Sequence, residues 1–321
     1  LYPEMEKGWI AVTAVDSDTG LISSYANKCG VAQNWCIAAV GDYTFHVQNA
    51  SGSGTSFATP VITATAALVQ QKYPWMNADL IRQTILSTAT DKGDQGVDAS
   101  YGWGLVNISK AVKGPALFDK RLALGDYVNV SFNNVTSSFD NNIAGDAGLI
   151  KDGSGTLLLN GTNTYTGNNI VRNGVLKING TSVSGVAIEP QGALSGDGGY
   201  IGANVTNNGG TLINEGSGLT IQGDYIAASG STIESSTDST LKVKGKAILN
   251  DSNLIIKAPV DSNNNPVYIS KNGIKNDIIT ADKGIENKFN IVNTPAFLQS
   301  EVSYTSNKAD LTLARKDVAQ Y

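Results

Sequence analysis

The chain of 321 residues is short of most of the residues that metal and redox chemistry rely on: one histidine, two cysteines and two methionines. Charged residues make up only 16% and aromatics only 7%. Each scarcity excludes something. One histidine and two cysteines form no His/Cys cluster of metal-ligand spacing, and no Asp-rich calcium loop is evident, so no metal and no cofactor is expected. The net charge of −5 works against a phosphate backbone, so nucleic acid is not an expected partner. No apolar run approaches the roughly 18 residues of a membrane-crossing helix. An initiator methionine and a signal peptide are missing as well. The opening Leu1-Tyr2-Pro3-Glu4 reads as a segment cut from something longer.

What the chain does have is length for two domains and 35 glycines. Few charges, few aromatics and much glycine suit turn-rich β structure better than a helical protein. Cys29 and Cys36 are too far apart for a CxxC redox motif, and two thiols alone cannot build a zinc site. They form a short disulfide loop, which would imply an oxidising compartment, or a pair of buried thiols.

Trp9 to Val15 is a short apolar run with β-branched residues, closed by Asp16, Ser17, Asp18 and Gly20, and predicts a buried strand and a turn. Leu21–Tyr25 predicts a second short strand, and Cys36–Val40 a third that ends at Gly41-Asp42. Gly54-Thr55-Ser56-Phe57-Ala58-Thr59-Pro60 then leads into Val61–Val69, a small-residue run that predicts a helix buried all round. Gly54 frees space for close backbone approach, and Pro60 is expected in the first helical turn, where a missing N–H costs little. Ser56 therefore stands at a loop-to-helix junction, where backbone N–H groups favour negative charge. Lys72-Tyr73-Pro74 ends that helix. Asn77 is positioned to cap a second, with Leu80, Ile81, Ile85 and Leu86 inward and Arg82 and Gln83 toward water. Tyr101-Gly102-Trp103-Gly104-Leu105-Val106-Asn107 precedes a last short helix through Ala111-Val112.

The Gly-Thr-Ser-x-Ala-x-Pro string resembles the nucleophile motif of subtilisin-like serine proteases. The order of elements around it, over about residues 8 to 113, is similar to theirs. The Cys29-Gly30…Trp35-Cys36-Ile37-Ala38-Ala39 pattern narrows the resemblance to the subtilisin-like proteases of bacterial autotransporters, in which the two cysteines are expected to form a local loop. The resemblance implies an α/β subtilisin-like fragment at residues 1–113, the C-terminal part of a peptidase domain. It also implies that Ser56 is the nucleophile of a serine endopeptidase, that its backbone N–H is one oxyanion donor, and that Gly54, Thr55 and Pro60 shape the nucleophile loop. In that family the orienting Asp, the base His and the oxyanion Asn precede the serine by more than this chain contains. The isolated chain is therefore expected to be inactive. His46, the only histidine, fits no motif of the family and reads as an ordinary loop or core residue. Asp16, Asp18 and Asp42 sit at apparent turns and carry no catalytic assignment.

From Gly114-Pro115 onward the composition shifts to Gly, Asn, Thr and Ser with short alternating runs. Leu149–Gly161, Thr162–Gly167 and Ile170–Ile178 hold short strands that each run into Gly, Asn or Asp, which argues for a coiled stack of short strands, with a sandwich as the competing arrangement. Residues 148 to 180 resemble the autotransporter-associated β-strand repeat. The expected architecture for 114–321 is thus an all-β passenger, a right-handed parallel β-helix that ends before a membrane barrel. Tyr304–Leu313 is expected to form a closing hairpin with an Asn-Lys turn. The partners implied are protein or peptide substrates and the chain's own C-terminal outer-membrane barrel. The location implied is secreted or at the surface of a Gram-negative bacterium. The competing function is a non-catalytic autotransporter passenger that acts as an adhesin or structural stalk.

Overall fold

The computed structural model describes residues 3–45, 50–263 and 265–316. The chain forms two compact units, residues 1–130 with 139–147, and residues 131–138 with 148–321.

In the first unit, β1 (Ala11–Val15) and β2 (Cys36–Val40) pair in parallel, in register from Ala11↔Cys36 to Val15↔Val40. Helix α1 (Thr55–Lys72) packs on them. Its buried residues are Ala58, Ile62, Thr65 and Val69, one stripe at alternating spacings of four and three. The helix is not buried all round: Thr63, Ala64, Ala67 and Leu68 are exposed. A run of Ala and Thr carries little amphipathic signal, and a two-stranded sheet covers only one side of a helix.

The expected strand at 21–25 shrinks to one bridge, Val15↔Ile22. Asp16 Oδ1 accepts from the N–H groups of Asp18 and Thr19 and from the Thr19 hydroxyl, so the chain doubles back too tightly for a ladder to follow. The same bonds from Thr19 hold the Asp16 carboxyl below its ordinary range.

Helix α2 (Ala78–Ser87) begins at Asn77, whose side chain accepts from Leu80 N–H at 2.9 Å. Arg82 and Gln83 do not face water. They are 2% and 4% exposed. Asp79, one turn earlier, takes an ion pair from Arg82 at 2.9 Å and a hydrogen bond from Gln83 Nε2 at 3.0 Å. Arg82 also donates to the Leu122 carbonyl, and Ala116 N–H donates to Ser87 Oγ at 3.2 Å. The segment after Gly114-Pro115 thus continues the first unit and covers a face of α2 that helical periodicity alone assigns to solvent.

The second unit is a parallel β-solenoid. Val186, Val205, Tyr225, Ala247 and Ile285 stack in one ladder, 19, 20, 22 and 38 residues apart. A second ladder aligns Leu157, Leu176, Leu194, Leu212, Ile233 and Leu254 into an aliphatic spine. No member of that spine is more than 1% exposed. Each contributes on the order of 2 kcal/mol by burial.

Buried amides tie successive turns together. Asn169 Nδ2 reaches Ser182 Oγ and the Gly185 carbonyl, and Asn207 Nδ2 reaches Tyr225 Oη and the Thr232 carbonyl. Asn214 Nδ2 reaches Ser235 Oγ at 2.9 Å, the Ser239 carbonyl at 3.1 Å and the Ile278 carbonyl at 3.3 Å. At the outer corners the ties are Asx contacts. Asn204 Oδ1 accepts from Asp224 N–H, whose own Oδ1 accepts from Lys246 N–H in the next turn. Gly174 shows why corners demand glycine: its φ is +67°, and a Cβ there would lie 2.4 Å from the Gly153 carbonyl oxygen.

The unit ends in the antiparallel hairpin Leu298–Tyr304 with Lys308–Arg315. The turn is Thr305-Ser306-Asn307, and Lys308 already belongs to the returning strand.

Candidate active site

Ser56 is the second residue of α1 and is exposed. Three features place it. Gly54, the residue before the helix, has φ +156°, and a Cβ there would stand 3.2 Å from Ser56 Oγ. Gly54 N–H donates to the Gly41 carbonyl at 3.0 Å, and Phe57 N–H donates to the Gly54 carbonyl at 3.0 Å. Gly41 in turn has no room for a side chain, since a Cβ would lie 2.6 Å from Ala14 Cβ and 2.7 Å from Tyr25 Oη. The end of the sheet and the start of the helix are therefore wedged together through two glycines. In the sequence, Gly41-Asp42 reads only as a turn. The close approach at Gly41 comes from residues 16 and 27 positions away, and no local pattern reports it.

Ser56 N–H lies in the first helical turn, among donors that have no intrahelical acceptor. This is the end of the helix that attracts negative charge. No acidic side chain occupies that first turn. Pro60 sits at the sixth helical position and not in the first turn. Its missing N–H removes the bond that would otherwise run to the Ser56 carbonyl four residues earlier. Thr59 Oγ1 donates to the Thr55 carbonyl at 3.0 Å and steadies the same turn. Thr55 likewise belongs to the helix, not to the loop before it.

Ser56, Thr59, Pro60, Thr63, Ala64 and Ala67 line an open trough of about 670 Å³, almost wholly apolar. Beside the serine, the strands Asp42–Phe45 and Ala50–Ser53 form a hairpin, and the Tyr43 ring lies 6.4 Å from that of Phe57. Asp42 accepts from Tyr25 Oη at 2.9 Å and from Ser23 Oγ at 3.4 Å, which ties it to the strand-end turn. His46 lies outside the described residues. Among the described residues, no group of three or more His, Cys, Asp or Glu side chains could hold a metal ion.

Cys29 and Cys36 are joined by a disulfide. It brackets the 3₁₀ turn Gly30–Trp35, onto which Trp103 docks. The indole Nε1 donates to the Asn34 carbonyl at 2.8 Å, and Trp103 N–H donates to the Cys36 carbonyl at 3.0 Å. The Gly-x-Gly-Leu-Val-Asn segment is thereby held against β2, with Val106 N–H donating to the Ala38 carbonyl at 2.9 Å.

Residues 1–104 match the model of the subtilase family, and residues 149–178 match the passenger-associated-transport-repeat. The Neisserial autotransporter lipoprotein NalP of Neisseria meningitidis serogroup B is 37% identical over 224 residues, covering 64% of this chain and 20% of the relative. An extracellular serine protease of Serratia marcescens is 29% identical over 387 residues, covering 99% of this chain and 37% of the relative. Serotype-specific antigen 1 of Mannheimia haemolytica is 39% identical over 206 residues, covering 57% of this chain and 22% of the relative. The chain thus spans well under half the length of these relatives.

Proposed function

We propose that this chain, which belongs over residues 1–104 to the subtilase family and carries a passenger-associated-transport-repeat at 149–178, is part of a subtilisin-type serine endopeptidase exported as an autotransporter passenger. Residues 1–113 are the C-terminal part of the peptidase domain in this reading. Residues 114–321 are the passenger stretch, with the parallel solenoid turns running from Gly148. The observation that carries the reading is the exposed Ser56 at the second position of α1, behind a glycine that leaves its Oγ clear, inside the segment matched to the family.

A serine hydroxyl attacks a peptide carbonyl only when a base takes its proton, and the tetrahedral oxyanion needs donors worth about 3 kcal/mol each. Ser56 Oγ is the attacking atom, and Ser56 N–H is one donor for the oxyanion. Gly54, Thr55 and Pro60 set the backbone around it. No residue of this chain is assigned here as the base, as the carboxylate that orients it or as the side-chain oxyanion donor. Protein or peptide chains are the substrates, the place of action is outside the cell or on its surface, and an outer-membrane barrel is the export partner.

A fluorophosphonate probe tests the assignment. Ser56 is labelled in the full-length protein and unlabelled in the 321-residue chain. Labelling in the isolated chain would overturn the claim that the base lies elsewhere. Failure to label the full-length protein at Ser56 would overturn the enzyme assignment.

A further inference from the structure

One column of solenoid corners has a gap in it. The ladder through Asn169, Val186, Val205, Tyr225 and Ala247 stacks the residues just before them, Asn168, Gly185, Asn204, Asp224 and Lys246. In the later turns each corner side chain accepts from the N–H of the next corner. Asn204 Oδ1 takes Asp224 N–H at 2.9 Å, and Asp224 Oδ1 takes Lys246 N–H at 2.7 Å. Corner 185 is glycine and has no side chain to offer. By the same register the Asn204 N–H faces that empty place, and among the described residues it meets no protein acceptor. A Cβ on Gly185 would lie 2.7 Å from the Asn204 carbonyl oxygen, so the two corners approach too closely for the chain to fill the gap itself.

A cavity of about 390 Å³ opens at this gap. Asn168 and Asn204 supply its polar walls. Asn168 Oδ1 lies 3.6 Å from the point where a Gly185 Cβ would stand, and among the described residues the Asn168 carboxamide has no protein partner. The floor is methyl. It consists of Ala187 and of Ala203, whose Cβ is 3.7 Å from the same point. Among the described residues no charged side chain lines the cavity. These groups call for a neutral ligand with an acceptor for Asn204 N–H, a donor for Asn168 Oδ1 and a small apolar end for the alanine floor. A secondary acetamide has all three in its carbonyl, its N–H and its methyl group.

We propose that the gap at Gly185 is a binding site for an N-acetylated sugar. The acetamido group takes the place of the missing corner side chain, and the ring hydroxyls stay in water at the mouth. A peptide offers the same amide but fits less well. The two strands that carry the site, Val186–Ser195 and Val205–Asn207, are paired on both flanks, so an extended peptide finds no open edge for its remaining N–H and C=O groups. The site belongs to the second unit and does not involve Ser56.

Saturation-transfer NMR on the 321-residue chain tests this, with N,N′-diacetylchitobiose as the probe. Cellobiose, which has hydroxyls in place of both acetamides, is one control, and N-acetylalanine N-methylamide stands for a peptide. The acetyl methyl protons of diacetylchitobiose take up the strongest saturation, and both controls take up little. Asn168→Ala removes one hydrogen-bond partner and weakens binding about fivefold. Asn168 makes no side-chain bond within the fold, so the urea midpoint of that variant stays level and lost binding is not misfolding. Ala187→Leu, at a half-buried position between Ile170 and Thr206, fills the floor and removes the signal. No transfer to diacetylchitobiose, equal transfer to cellobiose, or undiminished binding by either variant would each overturn the proposal. Tighter binding of the peptide analogue than of the sugar would overturn it in favour of a peptide ligand.

Discussion

Lys151 lies in the strand Gly148–Asp152 at 0% exposure, a position where an amine must be matched atom by atom. Its Nζ donates to the carbonyls of Asp152 at 2.8 Å, Gly153 at 2.7 Å and Asn173 at 3.2 Å, and it sits 4.9 Å over the Phe132 ring. Burial nevertheless pushes its pKa down from 10.5 to about 8. The native state therefore gives up this proton near pH 8, while the unfolded chain holds it until about 10.5. Between those values the unfolded state binds more protons, so stability rises with pH, by about 3 kcal/mol over the whole window. Lys151→Met keeps the stem and removes the amine. At pH 7 two effects oppose each other. Three carbonyls lose a donor, at about 1 kcal/mol each, and the desolvated charge disappears, which returns about 3 kcal/mol. The variant should thus match the parent at pH 7 to within about 1 kcal/mol, and fall behind by about 3 kcal/mol near pH 10.5. Urea unfolding followed by far-UV circular dichroism measures this. All four tryptophans, at 9, 35, 75 and 103, lie in the first unit, so their fluorescence reports that unit separately. Parallel pH profiles for parent and variant would refute the reasoning.

Three further outcomes can be checked in the same assays. Gly174→Ala forces a Cβ to within 2.4 Å of a carbonyl oxygen at positive φ, and lowers solenoid stability by roughly 2–4 kcal/mol, whereas Gly125→Ala, with open space around it, changes stability by less than about 1 kcal/mol. Asn214→Ala removes the donor shared by Ser235, Ser239 and Ile278 and costs about 2–3 kcal/mol in the circular dichroism transition, leaving the fluorescence transition in place. Replacing Cys29 and Cys36 together by serine opens a loop of sequence separation 7 and lowers the fluorescence transition by about 2–3 kcal/mol, leaving the solenoid transition unmoved.

Local chemistry made much of this molecule legible. Asn77 declared a helix start, Gly, Asn and Asp at regular intervals declared solenoid corners, and the Gly-Thr-Ser-x-Ala-x-Pro string declared where a nucleophile would stand. Some of the differences trace to burial decided by segments far away in sequence. Arg82 and Gln83 lie on the polar arc of α2 by periodicity, yet Leu122, 40 residues on, takes a hydrogen bond from Arg82. The exposed side of α1 was invisible for the converse reason, since Ala and Thr suit either environment. Asn169, Asn207 and Asn214 resemble the turn asparagines around them, and only the register of the coils shows that they are buried. At the candidate site, Ser56 and Gly54 could be read locally, while the fit of Gly41 under Ala14 and Tyr25 required the fold.

The uneven repeat of the solenoid has a mechanical meaning. Pulled from its ends along the stack, such a structure peels one coil at a time, because each coil is bound only to its neighbours. A coil of 19 to 22 residues frees about 70 Å of extended chain and gives back one strand spacing of about 4.8 Å. The coil of 38 residues, in which 257–273 is inserted between Asn253–Ile256 and Ile274–Ala281, frees nearly twice as much. A force trace of this protein would be a ruler with evenly spaced marks and one long gap, and the gap would locate residues 257–273 without any label.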